Sequence, residues 1–391
     1  MWQAEVQVDL DAVADNVTLL RGRTGAEVMA VVKADGYGHG MVPVARTALA
    51  AGAGWLGVCT LDEALALRAA GITAPVLAWL LAPGLPLVPA VDQGVDLSTG
   101  SAGLLAEIVA AAGAAGRPAR VHLKLDTGLN RGGAKPADWA ALARAAARAA
   151  ADGTVEVVGV WSHFAFSDDP GHASVDAQLA GFVDGTALAY RLGVRPALRH
   201  LANSAATLTR PDTHFDLVRT GIATYGLSPV PGRDFGLRPA MTVRARVALA
   251  KRVPAGEGVS YGHTYTTTGD TTVAVVPLGY GDGVPRAVSG RAPVRLAGRT
   301  RTIAGRVCMD QFMLDCGDDP VSAGDVVTLF GPGTGGEPTA DDWAAAADTI
   351  NYEIVTRMGG SRVPRVYRGA PDRVATATAG TGQPSGSGVR A

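Results

Sequence analysis

The chain has 391 residues, enough for two domains, and carries 35 basic against 36 acidic residues for a net charge of -1. So even a balance leaves no footprint for nucleic acid or an anionic membrane surface, and no apolar run reaches the ~18 residues of a membrane helix. Cys59, Cys308 and Cys316 lack metal-site spacing, and Met1-Trp2-Gln3-Ala4-Glu5 lacks a signal peptide's basic flank and apolar run, so the expected setting is a reducing cytoplasm with no bound metal.

In chain order, the first segment alternates Val6, Val8 and Leu10, as a half-buried strand does, and is expected to pair with a later domain. Strands are then predicted at 28–32, 56–59, 76–80, 94–97, 119–125, 155–161, 198–202 and 216–222. Helical patterns at 61–70, 102–115, 136–151, 175–192 and 205–208 fall between them, although abundant alanine blurs the apolar faces. Strands alternating with helices predict a parallel sheet, and eight units in about 225 residues fit a (β/α)8 TIM-like barrel over 11–232. The alternative, an open doubly wound sheet, wants a Gly-x-Gly-x-x-Gly turn after an early strand, and none is present. After Pro231-Gly232 the pattern becomes β-rich, at 243–250, 271–277, 293–296, 300–304 and 326–329, with one helix over 341–357. This predicts a mainly-β C-terminal domain over 233–369, joined by 4–10, and a disordered tail at 370–391.

A barrel carries its chemistry at the C-terminal ends of its strands. The first predicted strand ends in Lys33, followed by Gly36, Gly38 and Gly40 with Tyr37 and His39 between them. An amine at the edge of an apolar strand loses solvation, which favours its neutral form, and a neutral amine is the nucleophile that condenses with aldehydes. Later strands end in Lys124-Leu125-Asp126-Thr127-Gly128, in Ser162-His163, in Asn203-Ser204 and in Arg219-Thr220-Gly221-Ile222. Each alone reads as ordinary packing or turn chemistry; their joint placement at one barrel end does not.

The segment Ala30-Val31-Val32-Lys33-Ala34-Asp35-Gly36-Tyr37-Gly38-His39-Gly40 resembles the cofactor-lysine motif of alanine racemases, which bind pyridoxal 5'-phosphate. Further matches follow in the family's order: Ala202-Asn203-Ser204-Ala205, Val259-Ser260-Tyr261-Gly262, Gly279-Tyr280-Gly281-Asp282-Gly283, Cys308-Met309-Asp310 and Asn351-Tyr352-Glu353-Ile354. The resemblance covers residues 4 to 368 and implies racemisation of alanine, supplying D-alanine for peptidoglycan, in a homodimer with shared active sites.

By that resemblance Lys33 holds the cofactor and, once released by the incoming amino acid, serves as base on one face of the substrate, with Tyr261 of a neighbouring subunit on the other. His163 lies beside the pyridine ring. Asn203, Ser204 and the backbone N–H groups of Gly221 and Ile222 take the phosphate, aided by Tyr37 and Tyr352. Arg219 faces the pyridine nitrogen; a guanidinium keeps its proton, so the ring stays a weak electron sink, which favours racemisation over transamination. Arg131 and the Met309 backbone bind the substrate carboxylate, and Asp310 shapes the site. Cys308 is expected as a wall residue, and His200 as a hydrogen-bonding neighbour of Tyr261, whose ordinary pKa of ~10 must be lowered for it to act. Lys124 stands where some members carry a carbamate, Asn130 where a glycine is common, and His263 where a small residue is frequent. A racemase of another amino acid, a decarboxylase of the same plan and a non-catalytic cofactor-binding protein are the competing readings. The last resembles the barrel alone, and a decarboxylase has no need of Tyr261 opposite Lys33.

Overall fold

A computed structural model describes residues 2–369; the expected disordered tail at 370–391 lies outside them. The first strand, β1 (Ala4–Asp9), is followed by eight strands of one parallel sheet: β2 (Glu27–Val31), β3 (Trp55–Val58), β4 (Val76–Ala78), β5 (Asp96–Thr99), β6 (Ala119–Lys124), β7 (Val155–Trp161), β8 (Leu198–His200) and β9 (Leu217–Thr220). Their spatial order, β8-β7-β6-β5-β4-β3-β2-β9, runs sequentially and brings the last strand beside the first. Two hydrogen bonds close the ring between β8 and β9, from Asp216 N–H to Arg199 O (3.0 Å) and from Arg219 N–H to Ala202 O (3.0 Å). The sheet is therefore a barrel, and the doubly wound alternative is excluded. These strands are buried on both faces, which is why they read as near-continuous apolar runs.

Helices Pro136–Ala151 and Ala102–Ala115 cover the outside as predicted, the second capped by the Ser101 hydroxyl at its start and by left-handed Gly116 at its end. Helices Met41–Ala50 and Val88–Asp92 were not predicted.

The remaining strands are β10 (Met241–Arg246), β11 (Leu249–Val253), β12 (Gly258–Val259), β13 (Tyr265–Thr266), β14 (Thr271–Val276), β15 (Pro293–Leu296), β16 (Arg299–Thr302), β17 (Phe312–Asp315), β18 (Val326–Phe330) and β19 (Arg365–Arg368). One six-stranded sheet has the order β16-β15-β18-β10-β1-β19, so the N-terminal strand does join the later β-region, antiparallel to β10 and parallel to β19. The strand expected over 243–250 is in fact two, β10 and β11, in different sheets. The single helix expected over 341–357 is also two, Ala340–Ala347 and Asn351–Arg357. Asp348 at φ +57 turns the chain left-handed, and extended Ile350 restarts it, so one continuous hydrogen-bond ladder is impossible.

Candidate functional site

Lys33 follows β2 at the barrel's C-terminal end and opens an unusual turn. Ala34, Asp35, Gly36 and Tyr37 all have φ between +51 and +63, one turn of left-handed backbone. Non-glycine residues resist that conformation, by ~1–2 kcal/mol each, so the surroundings must impose it. Glu63 accepts from Ala34 N–H (2.6 Å) and Asp35 accepts from Met41 N–H (2.8 Å). From the far end of the chain, Arg365 pairs with Asp35 (2.7 Å) and donates to Gly38 O (2.7 Å). Gly38 is obligatory for a second reason: a Cβ there would lie 2.3 Å from Val355 O. Glu63 and Arg365 were not predicted, because they lie 30 and 332 positions from Lys33 and only the fold brings them to its turn.

Lys33 Nζ lies 5.9 Å from the centre of the Tyr37 ring, which packs against Tyr225 (4.8 Å) and near Tyr352 (6.2 Å). Burial raises the pKa of both Tyr37 and Tyr352, so each phenol keeps its proton and can donate. His39 is fully buried, its Nδ1 faces the carbonyls of Tyr37 (2.9 Å) and Gly36 (3.1 Å), and it braces the turn.

Opposite stands an anion cradle. Ser204 Oγ accepts from the N–H groups of Gly221 (2.8 Å) and Ala223 (3.4 Å), which gather at the start of the short helix Ile222–Tyr225. A Cβ at Gly221 would lie 2.5 Å from the Tyr37 hydroxyl, so only glycine leaves the cradle open beside that phenol. Asn203 caps the neighbouring helix Ser204–Thr209 through Ala206 N–H (3.1 Å) and donates to Ser167 Oγ (2.7 Å). It therefore supports the cradle by holding Ser204.

Arg219 is buried in the barrel. It donates to Ser162 O (2.8 Å), Leu201 O (3.1 Å), His163 Nδ1 (3.1 Å) and His200 Nδ1 (3.2 Å). Burial pulls its pKa down to about 9, still high enough to keep the proton at neutrality. His163 is held neutral by burial and by the positive field of Arg219, Arg131, Lys124 and Lys33. Four cations thus converge on one place, which is the electrostatics of a pocket for an anion.

Lys124 Nζ and the Arg219 guanidinium lie over the Trp161 ring, 4.3 and 4.8 Å from its centre. Desolvation, then Arg219 and Arg131, lowers the Lys124 pKa from 10.5 to about 8. Between those values the unfolded chain holds a proton that the folded one has lost, so stability rises with pH across that window. In CO2-free buffer, Lys124→Met is expected to exceed the parent in urea unfolding near pH 7, with the gap closing towards pH 10; a constant gap contradicts this assignment.

Arg131 is exposed and lines a cleft of about 900 Å³ with His163, Asn203 and Tyr352. Asn130 has φ +58, the left-handed region that suits a glycine and that asparagine tolerates well, so its side chain is compatible with the loop. Asp126 holds that loop by accepting from the N–H groups of Gly128 (3.0 Å) and Asn130 (3.1 Å).

Tyr261, Cys308, Met309 and Asp310 form a separate group on the β-region. Tyr261 is 70% and Met309 54% exposed, far too much for either to face a core. The loop carrying Tyr261 is strained, with Ser260 at φ +65 and His263 at φ +44, and is tied down by Ser260 Oγ to Arg306 O (2.6 Å). Cys308 is half-buried, 3.5 Å from Ser260 Oγ. Asp310 pairs with Arg362 (2.5 Å), which also holds Asp282 (2.9 Å). His200 requires a correction: both of its ring nitrogens are engaged inside the barrel, by Arg219 and by His122 (2.8 Å), so it is no neighbour of the exposed Tyr261.

A model of the alanine racemase N-terminal domain matches residues 8–229, and one of the alanine racemase C-terminal domain matches 240–367. The chain is 68% identical over 369 residues to an alanine racemase of Salinispora arenicola, covering 94% of this chain and 99% of that one. It is 61% identical to an alanine racemase of Thermobifida fusca, covering 94% and 98%. Among solved structures, alanine racemase from D-cycloserine-producing Streptomyces lavendulae superposes with a TM-score of 0.93 at 56% identity, covering 95% and 98%. The Bacillus anthracis alanine racemase with bound L-Ala-P gives 0.86 at 37% identity, covering 95% and 96%.

Proposed function

Because the chain belongs to the alanine racemase family of isomerases, we propose that it interconverts L- and D-alanine with pyridoxal 5'-phosphate, as a homodimer with shared sites. The observation that carries the cofactor assignment is the cradle of Ser204, Gly221 and Tyr37 set beside buried Arg219, for which desolvation goes uncompensated by any carboxylate among the described residues. Such a place fits a phosphate joined to an aromatic ring that needs a donor at its far side.

When bound, the cofactor would supply an aldehyde for the substrate amine and an electron-withdrawing ring that makes the Cα proton acidic. Lys33 would hold the cofactor through its amine and, once freed by the substrate, would take or return the Cα proton on one face. The Ser204 hydroxyl and the N–H groups of Gly221 and Ile222 bind the phosphate, and Tyr37 and Tyr352 add hydroxyl donors. His163 packs beside the ring. Arg219 donates to the ring nitrogen and, never surrendering its proton, limits how far the ring accepts electrons. Arg131 and the Met309 N–H orient the carboxylate.

Tyr261 handles the opposite face. Its exposure within one chain is what a residue completing a second copy's site requires, and the exposed Met309 travels with it. D-Alanine for peptidoglycan and a cytoplasmic setting complete the reading; among the described residues no helix is long and apolar enough to cross a membrane. The test is the purified protein with pyridoxal 5'-phosphate and L-alanine. Appearance of D-alanine without CO2 release supports the proposal, and CO2 release without inversion refutes it.

A further inference from the structure

The barrel interior holds a hydrogen-bonded chain that the mechanism above leaves unused. It begins at Arg219, whose Nη1 faces His200 Nδ1 (3.2 Å). His200 Nε2 faces His122 Nδ1 (2.8 Å), and His122 Nε2 faces Asp96 Oδ2 (3.0 Å). Asp96 in turn accepts from Arg120 through Oδ1 (2.7 Å) and Oδ2 (3.3 Å), and Arg120 reaches Glu156 (2.9 Å). Asp96, His122 and His200 are each 0% exposed. The chain thus runs down the barrel from the functional end towards the starts of β5, β6 and β7.

The sequence has been shaped around it. A Cβ at Gly159 would lie 2.4 Å from His122 Nδ1, so only glycine on β7 leaves room for that ring. The β6–β7 register shifts between Val121 and His122, where β7 carries one extra residue, so that Gly159 and not Val158 stands opposite the histidine. Trp161 stacks on His200 at 3° between planes, and Trp55 meets His122 edge-on.

The donors and acceptors permit one direction only. Arginine has no acceptor, so His200 must show Arg219 a lone pair at Nδ1 and carry its proton at Nε2. That proton needs a lone pair on His122 Nδ1, which puts the His122 proton on Nε2, facing the carboxylate. A histidine's tautomer is set by the bond its other nitrogen makes. Burial would raise the Asp96 pKa, but His122 and Arg120 hold it below the usual carboxylate range, so the carboxylate stays a pure acceptor.

We propose that Asp96 and His122 are positioning residues of the reaction: through His200 they fix the lone pair that locks the Arg219 guanidinium in the plane from which it serves the cofactor ring. This rests on the reading of Arg219 given above. Asp96→Asn should reverse the whole chain. Arg120 keeps the amide oxygen, the amide NH2 turns to His122, and both imidazoles switch to the Nδ1–H form, setting donor against donor at Arg219. His122→Phe should cut the chain, whereas His122→Gln can accept from His200 and donate to Asp96, preserving its direction.

The first readout needs no cofactor: ring 15N shifts of the histidines in the cofactor-free protein. His200 should report Nε2–H in the parent and in His122→Gln, and Nδ1–H in Asp96→Asn. The second is affinity for pyridoxal 5'-phosphate by absorbance titration, with kcat and KM measured apart. Asp96→Asn and His122→Phe should weaken affinity and kcat by about 10–100-fold, the usual scale for losing an orienting partner, with KM little changed. His122→Gln should recover most of both. If Asp96→Asn does not fold, the His122→Phe and His122→Gln pair decides. Equal behaviour of that pair, or an unchanged His200 tautomer in folded Asp96→Asn, overturns the inference. Arg219→Lys separates the two levels. If it leaves cofactor affinity and kcat intact, the reading of Arg219 itself fails; if it impairs them while Asp96→Asn does not, the relay alone fails.

Discussion

Lys33→Ala is expected to abolish turnover, lowering alanine inversion by at least ~10³-fold, because in the proposed function one side chain supplies both the cofactor attachment and an acid–base group. The replacement leaves the fold intact, since Lys33 is only half-buried and the following turn is held by Glu63, Asp35 and Arg365 through the backbone and one another. Two measurements check this. Inversion of L-alanine should disappear while circular dichroism and thermal unfolding of the cofactor-free protein stay close to the parent's. Borohydride treatment of the loaded parent, followed by peptide mapping, should place the reduced label on the peptide containing Lys33. A label on Lys124 instead would transfer the attachment point to β6 and undo the assignment of roles.

Tyr261→Phe is expected to lower kcat by ~10²–10⁴-fold, the range for removing a positioned acid–base group. The side chain is 70% exposed, so deleting one hydroxyl costs the single chain little stability. Sharing of the site between copies has a sharper test. Lys33→Ala and Tyr261→Phe are each inactive, but a mixed dimer pairs intact Lys33 of one copy with intact Tyr261 of the other in one of its two sites. Random mixing of the two variants should therefore restore about a quarter of the parental activity in a two-fold symmetric dimer. No recovery, with mixed dimers shown to be present, would place Tyr261 in the site of its own chain or outside any site.

Much of the barrel was legible because parallel strands buried on both faces need continuous apolar runs, and all eight stand out against helices rich in alanine and arginine. The helix Met41–Ala50 was hidden by Pro43 in its first turn and by the glycines just before it, which together read as loop. The β-region was less clear. β17 went unrecognised, and the break at Asp348 depends on backbone conformation that an aspartate does not advertise.

The site divided in the same way. Lys33, Ser204, Gly221 and Arg219 could be named because each ends a strand or starts a turn at one end of the barrel. Asp96 and His122 could not, for they sit inside apolar strands, and only the closed barrel turns them towards one another. The role expected of His200 failed for that reason: its partner is 78 residues away in sequence.

β1 is flanked by β10 and by β19, two strands far from it in sequence. During synthesis residues 4–9 therefore find both neighbours only after position 368 has been made, and Arg365, which clamps the turn after Lys33, emerges in that same stretch. Nascent chains truncated before position 365 carry Lys33 and Tyr261 and still leave that turn unfastened, so the turn closes only after the β-region has been made.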